Sequence, residues 1–138
     1  MKLHRRSQSK PRSRGQALVE FAIVLPVFLL VLFGLIEFGY MLYSQMTVSN
    51  AAREAARAAV VDPDACTIPV LANATARGAA TGLTSSFISV NVPAIPSCAT
   101  APQGTPVSIT VNYTYHTFFP LFFGATFNLS QTVQMALW

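Results

Sequence analysis

The feature that most limits the fold is an apolar run from Ala17 to Ile36, in which Glu20 is the only ionisable residue. A helix of that length rises about 30 Å, which matches the hydrocarbon thickness of a bilayer. The run therefore predicts a membrane-spanning helix. A plain secretory signal peptide is disfavoured, because the run is too long and no small-x-small cleavage site follows it before Glu37.

The charge distribution predicts the orientation of this span. Six of the nine Lys and Arg residues precede Gly15, whereas all five acidic residues follow it. Cytoplasmic flanks of membrane spans are enriched in basic residues, so we expect the N-terminus inside and the C-terminus outside. The alternative, a nucleic-acid-binding arm, is disfavoured because no aromatic residue is interleaved for base stacking. We therefore expect a membrane partner and no nucleic acid.

Two segments, R-G-Q-A-L-V-E-F from Arg14 and N-A-A-R-E-A-A-R from Asn50, carry a resemblance to a known family. With the apolar run between them, they resemble the TadE-like family, pseudopilins of the tight-adherence (Flp-type) type IV pilus system. The strong resemblance covers residues 13–61. It implies a pilin-like fold whose basic leader is cut by a prepilin peptidase between Gly15 and Gln16. The related TadF subunit is an alternative within the same system.

The resemblance also implies a role for Glu20, which becomes the fifth residue of the mature chain. There it would align subunits by pairing with the new α-amino group of a neighbour. The implied partners are the prepilin peptidase, other pilin and pseudopilin subunits, and the pilus assembly machinery. The residues alone leave two alternatives open. In the first, Glu20 lies in hydrocarbon, which costs about 2.5–3.5 kcal/mol, and it therefore needs a partner. In the second, its side chain snorkels to the headgroups and has no specific role.

Two further residues of the predicted helix have local consequences. Pro26 lacks a backbone N–H and frees the carbonyl of Ala22, which predicts a bend in the helix. Glu37 ends the apolar run, and we expect it to be a solvated residue at the outer membrane interface.

Beyond the apolar run, the helical pattern continues from Phe38 to Val61 and ends at Asp62-Pro63. One side of this part is polar and the other is rich in alanine. We expect the alanine face to support the protein's own sheet, and packing against helices of other subunits is the alternative. The polar residues are Asn50, Arg53, Glu54 and Arg57, and the apolar ones are Val48, Ala51, Ala52, Ala55, Ala56 and Ala59.

Residues 62–138 predict a small α+β domain. An alanine-rich segment at 70–82 predicts a short helix, and alternating patterns at 87–92, 107–115 and 127–137 predict three strands. Strands joined in sequence favour an antiparallel sheet packed on the outer half of the long helix. Cys66 and Cys98 lie in loops, and an exported compartment favours a disulfide between them over two free thiols.

The connection between the last two strands is unusually apolar, T-F-F-P-L-F-F-G from Thr117. We expect the segment 118–123 to fill the core beneath the hairpin, because so small a sheet needs large side chains. An exposed patch that touches the membrane or another subunit is the alternative.

The sequence thus predicts an α+β, pilin-like chain. It has a cleaved leader (1–15), a transmembrane assembly helix (16–37), its extracytoplasmic continuation (38–61) and a small extracytoplasmic domain (62–138). No nucleophile elbow, P-loop or metal-ligand spacing is found, so we expect no enzyme, cofactor, metal site or small-molecule substrate.

The functional expectation is a minor pseudopilin of the bacterial cytoplasmic membrane that takes part in pilus biogenesis and surface adhesion. It would move from the membrane into an extracellular pilus, or serve to initiate one. The alternative is an unprocessed single-pass envelope protein that acts as a scaffold or binding module.

Overall fold

The dominant element is one long helix, α1 (Arg14–Val61), which contains the apolar run and its continuation. It belongs to a computed structural model that describes residues 14–61, 68–93 and 104–137. Within those ranges α1 is the one helix that has the length and composition to cross a membrane, with a mean hydropathy of 2.8 in its most apolar stretch. This finding suggests a single-pass membrane protein.

The proline inside α1 does not end the helix. Pro26 lies within the helical range and its side chain is exposed. The loss of one hydrogen bond is therefore tolerated without a break. The bend that the sequence predicts at this position stays a prediction.

The chain divides into two structural units, residues 1–35 and residues 36–138. The described part of the first unit is the N-terminal portion of α1, whose apolar side chains are mostly exposed. The second unit contains the remainder of α1 and the described part of the chain that follows. A large apolar surface left without protein neighbours is what a lipid-facing helix requires.

The described residues of the second unit add two helices and three strands. The helices are α2 (Ile68–Ala79) and the single turn α3 (Pro120–Phe123), and a 3₁₀ turn occupies Ser85–Phe87. The strands β1 (Ile88–Asn91), β2 (Pro106–His116) and β3 (Thr126–Ala136) form an antiparallel sheet in the order β1-β2-β3. The predicted α+β class, the long N-terminal helix and the three-stranded antiparallel sheet are confirmed.

The alternation of β2 determines which face of the sheet is buried. Its apolar positions are all buried, whereas the intervening polar positions are partly exposed. On the polar face, the hydroxyl oxygens of Thr110 and Thr132 lie 2.8 Å apart across the β2–β3 pair. The period-2 pattern therefore translates directly into a core face and a solvent face. The buried positions are Val107, Ile109, Val111, Tyr113 and Tyr115.

The alanine face of α1 lies in the core of the second unit, as the favoured interpretation predicted. Ala51, Ala52 and Ala55 are fully buried in a cluster that also contains residues of α2 and the inner face of the sheet. The polar side of the helix, including Arg53 and Glu54, is exposed. Small side chains allow the backbones of neighbouring elements to approach closely.

The expectation that segment 118–123 fills the core is wrong for Phe118, Leu121 and Phe122. The exposed fractions are 58% for Phe118, 89% for Leu121 and 64% for Phe122. The inner face of the sheet is already covered by the cluster of α1 and α2 side chains, so the hairpin connection projects past the end of the β2–β3 pair. Cys66 and Cys98 lie outside the described residues, and their disulfide stays a prediction.

Candidate functional site

The predicted processing site lies in the first turn of α1. Gly15 and Gln16 are exposed, and Gln16 is four residues before Glu20 on the same helical face. The amide Nε2 of Gln16 donates a hydrogen bond to Glu20 Oε1 at 3.3 Å. A neutral amide compensates a carboxylate only in part, and the exposed Glu20 is accessible to a cationic group from outside the chain.

The second carboxylate of α1, Glu37, is not where the sequence-based expectation placed it. Glu37 was expected to be solvated, but only 5% of its surface is exposed. The expectation is wrong because it considered Glu37 as the end of the apolar run and not as part of the buried face of the helix. A carboxylate that is removed from water needs hydrogen-bond donors within the protein.

Glu37 has these donors from the β2–β3 side of its unit. The hydroxyl of Tyr115 donates to Glu37 Oε1 at 2.6 Å. The backbone N–H of Phe118 donates to Oε2 at 3.0 Å and to Oε1 at 3.3 Å. Both carboxylate oxygens are therefore engaged, and α1 is joined to the sheet through residues 78 and 81 positions away in sequence.

Periodicity places these groups together. Glu37, Ser44 and Ala51 are spaced by seven residues, or about two helical turns, and all three are buried. The alternation of β2 turns Tyr115 toward the same interior, and Phe118 follows two residues after the strand ends. Sequence reasoning missed Glu37 although the signal was present, since it lies in register with the alanine face.

The environment changes the acidity of Tyr115. Burial is the main cause that raises the pKa of the Tyr115 phenol well above its ordinary value of 10. The hydrogen bond to Glu37 and the negative charge of that carboxylate raise it further, because both disfavour a phenolate. Tyr115 is therefore held as a neutral hydrogen-bond donor.

Aromatic rings surround the Glu37 contact. The Tyr40 ring centroid lies 5.7 Å from that of Tyr115 and 5.3 Å from that of Phe118, the latter in an edge-to-face arrangement. Such ring pairs contribute about 0.5–1.5 kcal/mol beyond the area that they bury. They help to hold the start of the β2–β3 connection against α1.

A second set of contacts joins α1 to the turn after α2. The Tyr43 hydroxyl donates to the carbonyl of Thr81 at 3.0 Å, and the Tyr40 hydroxyl donates to the carbonyl of Gly82 at 3.4 Å. Gly82 has a φ of +78°, and a Cβ built there would lie 2.7 Å from the Tyr43 hydroxyl oxygen. The positive φ therefore favours glycine, and a side chain at this position would also displace the Tyr43 hydroxyl.

Within residues 14–61, 68–93 and 104–137, no group of three or more His, Cys, Asp or Glu side chains is arranged to hold a metal ion. Residues 78–138 contain no Lys, Arg, Asp or Glu at all. The carboxylate that contacts the sheet is thus supplied by α1.

The comparison with protein families agrees with this description of α1. Residues 15–57 match the TadE-like protein family. This TadE-like segment contains Gly15, Glu20 and Glu37 and ends at Arg57. It covers about a third of the chain and suggests a protein associated with the tight-adherence pilus. Neither the comparison with curated proteins nor that with solved structures finds a match.

Proposed function

We propose that this protein is a minor pseudopilin of a tight-adherence type IV pilus, cut by a prepilin peptidase between Gly15 and Gln16. The observation that carries the proposal is the register within the TadE-like segment. A glycine follows a basic leader, and a carboxylate lies five residues later at the start of an exposed apolar helix.

The geometry suits a subunit that leaves the bilayer. Cleavage after Gly15 creates an α-amino group at Gln16, close to the level of Glu20 on a helix. An amine of a neighbouring subunit would form a charge-assisted pair with Glu20, which stabilises the carboxylate in an apolar environment. The exposed apolar side chains of α1 can contact lipid before assembly and other helices after it.

The remaining parts of the proposal follow from orientation. The basic leader lies in the cytoplasm, the apolar run crosses the cytoplasmic membrane once, and the sheet lies outside. The protein then takes part in pilus biogenesis and surface adhesion together with other pilin and pseudopilin subunits and the assembly machinery. Its chemistry is limited to what the peptidase does to it.

Intact mass of the protein from cells tests the cleavage. We expect a mature chain that begins at Gln16 when the prepilin peptidase is active and the full chain when the peptidase gene is deleted. Gly15→Leu should leave the full chain in both strains. Retention of residues 1–15 in cells with active peptidase would refute the proposal.

Pilus assembly tests the role of Glu20 separately. Glu20→Ala and Glu20→Gln should both be cleaved but lose incorporation into sheared pili, because neither can pair with an α-amino group. Glu54→Ala is the matched control, since Glu54 is an exposed carboxylate on the polar side of the same helix. Normal assembly of Glu20→Ala would contradict the proposed role of this carboxylate, and the proposal of cleavage after Gly15 would still stand.

One observation favours a second function. The peptide bond between Gly15 and Gln16 lies inside the helical range of α1, so it must unwind before a protease can bind it in extended form. An unprocessed single-pass envelope protein, acting as a scaffold or binding module, would keep this turn helical. The intact-mass measurement separates the two functions directly.

A further inference from the structure

The connection between β2 and β3, residues 117–125, is an exposed apolar surface that the proposed function does not use. We call it the aromatic loop. Phe118, Leu121 and Phe122 are each more than half exposed, and none of residues 117–125 is charged. Exposed apolar side chains grouped in one short loop are typical of a surface that contacts a membrane or another protein.

Three backbone N–H groups of the aromatic loop donate hydrogen bonds within the loop itself. The N–H of Thr117 donates to the carbonyl of Ala125 at 3.3 Å, that of Phe122 to Phe119 at 3.1 Å, and that of Gly124 to Pro120 at 3.1 Å. Pro120 has no N–H to satisfy. These engaged N–H groups lower the cost of placing this part of the backbone in a medium that offers few hydrogen-bond partners.

The position of the aromatic loop follows from its attachment to Glu37. The N–H of Phe118 donates to both oxygens of Glu37, and Glu37 directly follows the last residue of the apolar run. The loop is thus held at the residue where α1 would leave the hydrocarbon. Aromatic side chains are enriched at this depth of a bilayer, where apolar rings and polar groups meet.

We propose that the aromatic loop is a lipid-contact surface, with Phe118, Leu121 and Phe122 placed among the headgroups and upper acyl chains of the leaflet at the Glu37 end of the span. Glu37 is the positioning residue that keeps the loop there. The inference requires that the apolar run crosses a bilayer, but it does not require cleavage, pairing of Glu20 or entry into a pilus.

Depth-dependent fluorescence quenching tests this surface on the full chain. The protein has one tryptophan, so Phe122→Trp is made in a Trp138→Phe background. It is reconstituted into phosphatidylcholine–phosphatidylglycerol vesicles that contain lipids brominated at defined carbons. We expect blue-shifted emission and several-fold stronger quenching from shallow bromines than from deep ones. Leu121→Trp is a second probe, in case Phe122→Trp does not fold.

Two matched positions calibrate the measurement. Val70→Trp replaces an exposed apolar residue near the start of α2. The opposite end of α2 leads to the turn whose Thr81 carbonyl accepts the hydrogen bond from Tyr43. It should emit as in water and escape quenching. Phe28→Trp lies within the apolar run and should be quenched by deep bromines, which shows that the span itself is inserted.

Each outcome decides the proposal. Shallow quenching at position 122 supports it. Water-like emission at 122 with quenching at 28 overturns it and leaves the membrane span standing. Blue-shifted emission at position 122 that brominated lipids do not quench, but that increases with the protein-to-lipid ratio, also overturns the proposal. That result would indicate that another copy of the chain covers the aromatic loop. Absence of quenching at position 28 would show that the apolar run does not cross the bilayer, and the inference would then be overturned as well.

Discussion

Glu37 supplies a carboxylate to the sheet, because residues 78–138 contain no Asp or Glu. Its oxygens accept hydrogen bonds from the Tyr115 hydroxyl and the Phe118 N–H, and water reaches almost none of its surface. Removing an acceptor in such a place leaves buried donors unsatisfied. This cost exceeds the net value of the hydrogen bonds themselves.

Glu37→Ala should therefore destabilise the second unit. We expect the free energy of unfolding to fall by about 1–3 kcal/mol, because the Tyr115 hydroxyl and the Phe118 N–H lose their acceptor. The measurement is denaturant unfolding of the detergent-solubilised protein, followed by near-ultraviolet circular dichroism. Glu54→Ala should stay within about 0.5 kcal/mol of the parent. Equal stability of the two variants would show that the Glu37 contacts are not formed.

The raised pKa of Tyr115 predicts how stability changes with pH. Its pKa in the folded protein lies above the unfolded value of about 10, so unfolded chains lose the phenolic proton first as pH rises. Stability from this group is complete below about pH 10 and is lost above it. Burial also raises the pKa of Tyr113, in the same direction.

Denaturant unfolding at a series of alkaline pH values checks this dependence. We expect a steeper loss of stability above about pH 10 in the parent than in Tyr115→Phe, which has no proton to lose there. Tyr43→Phe serves as the comparison, since the Tyr43 hydroxyl donates to a backbone carbonyl at an exposed site. Identical slopes for the parent and Tyr115→Phe would contradict the assignment.

At the scale of the element, the alanine face of α1 contacts the protein's own core. Ala55 is fully buried in the cluster with α2 and the sheet, so Ala55→Leu has no space for three further carbon atoms. We expect the isolated chain to lose about 1–3 kcal/mol of stability by overpacking. Thermal unfolding in detergent measures it.

The matched control for this substitution is Ala74→Leu on the exposed side of α2. It should leave the unfolding temperature nearly unchanged. If Ala55→Leu were neutral in the isolated chain and blocked only pilus assembly, the alanine face would serve contacts between subunits instead.

Periodic elements and the burial of the alanine face could be predicted from the sequence, whereas the individual hydrogen bonds between elements could not. The apolar run determined α1, and the alternation of residues 107–115 determined β2 and its buried face. The aromatic loop was misplaced because composition says that a segment avoids water, but not whether protein or lipid covers it. For Glu37, the register with the alanine face indicates burial, but its donors, the Tyr115 hydroxyl and the Phe118 N–H, lie far away in sequence and could not be predicted.

At the scale of the whole molecule, the leader charges predict orientation. Replacing the leader's basic residues with glutamine should invert part of the population, because the positive-inside bias is lost. A C-terminal alkaline phosphatase fusion, active only outside the cytoplasm, should lose activity several-fold. Substituting Arg53 and Arg57, exposed beyond the span, should leave it unchanged. Unaltered activity without leader charges would refute this control of orientation. The replaced residues are Lys2, Arg5, Arg6, Lys10, Arg12 and Arg14.

The absence of Lys, Arg, Asp and Glu from residues 78–138 has a kinetic consequence for any partner of the sheet. Charged surfaces accelerate encounters over long distances, and salt slows them again by screening. A surface without fixed charge has neither property. Arg77, which contacts Ile88 of β1, and Arg53, which lies near Gln131 of β3, are neighbouring charges that remain. Association through the sheet should therefore stay near the basal rate of about 10⁵–10⁶ M⁻¹ s⁻¹ and depend only weakly on salt.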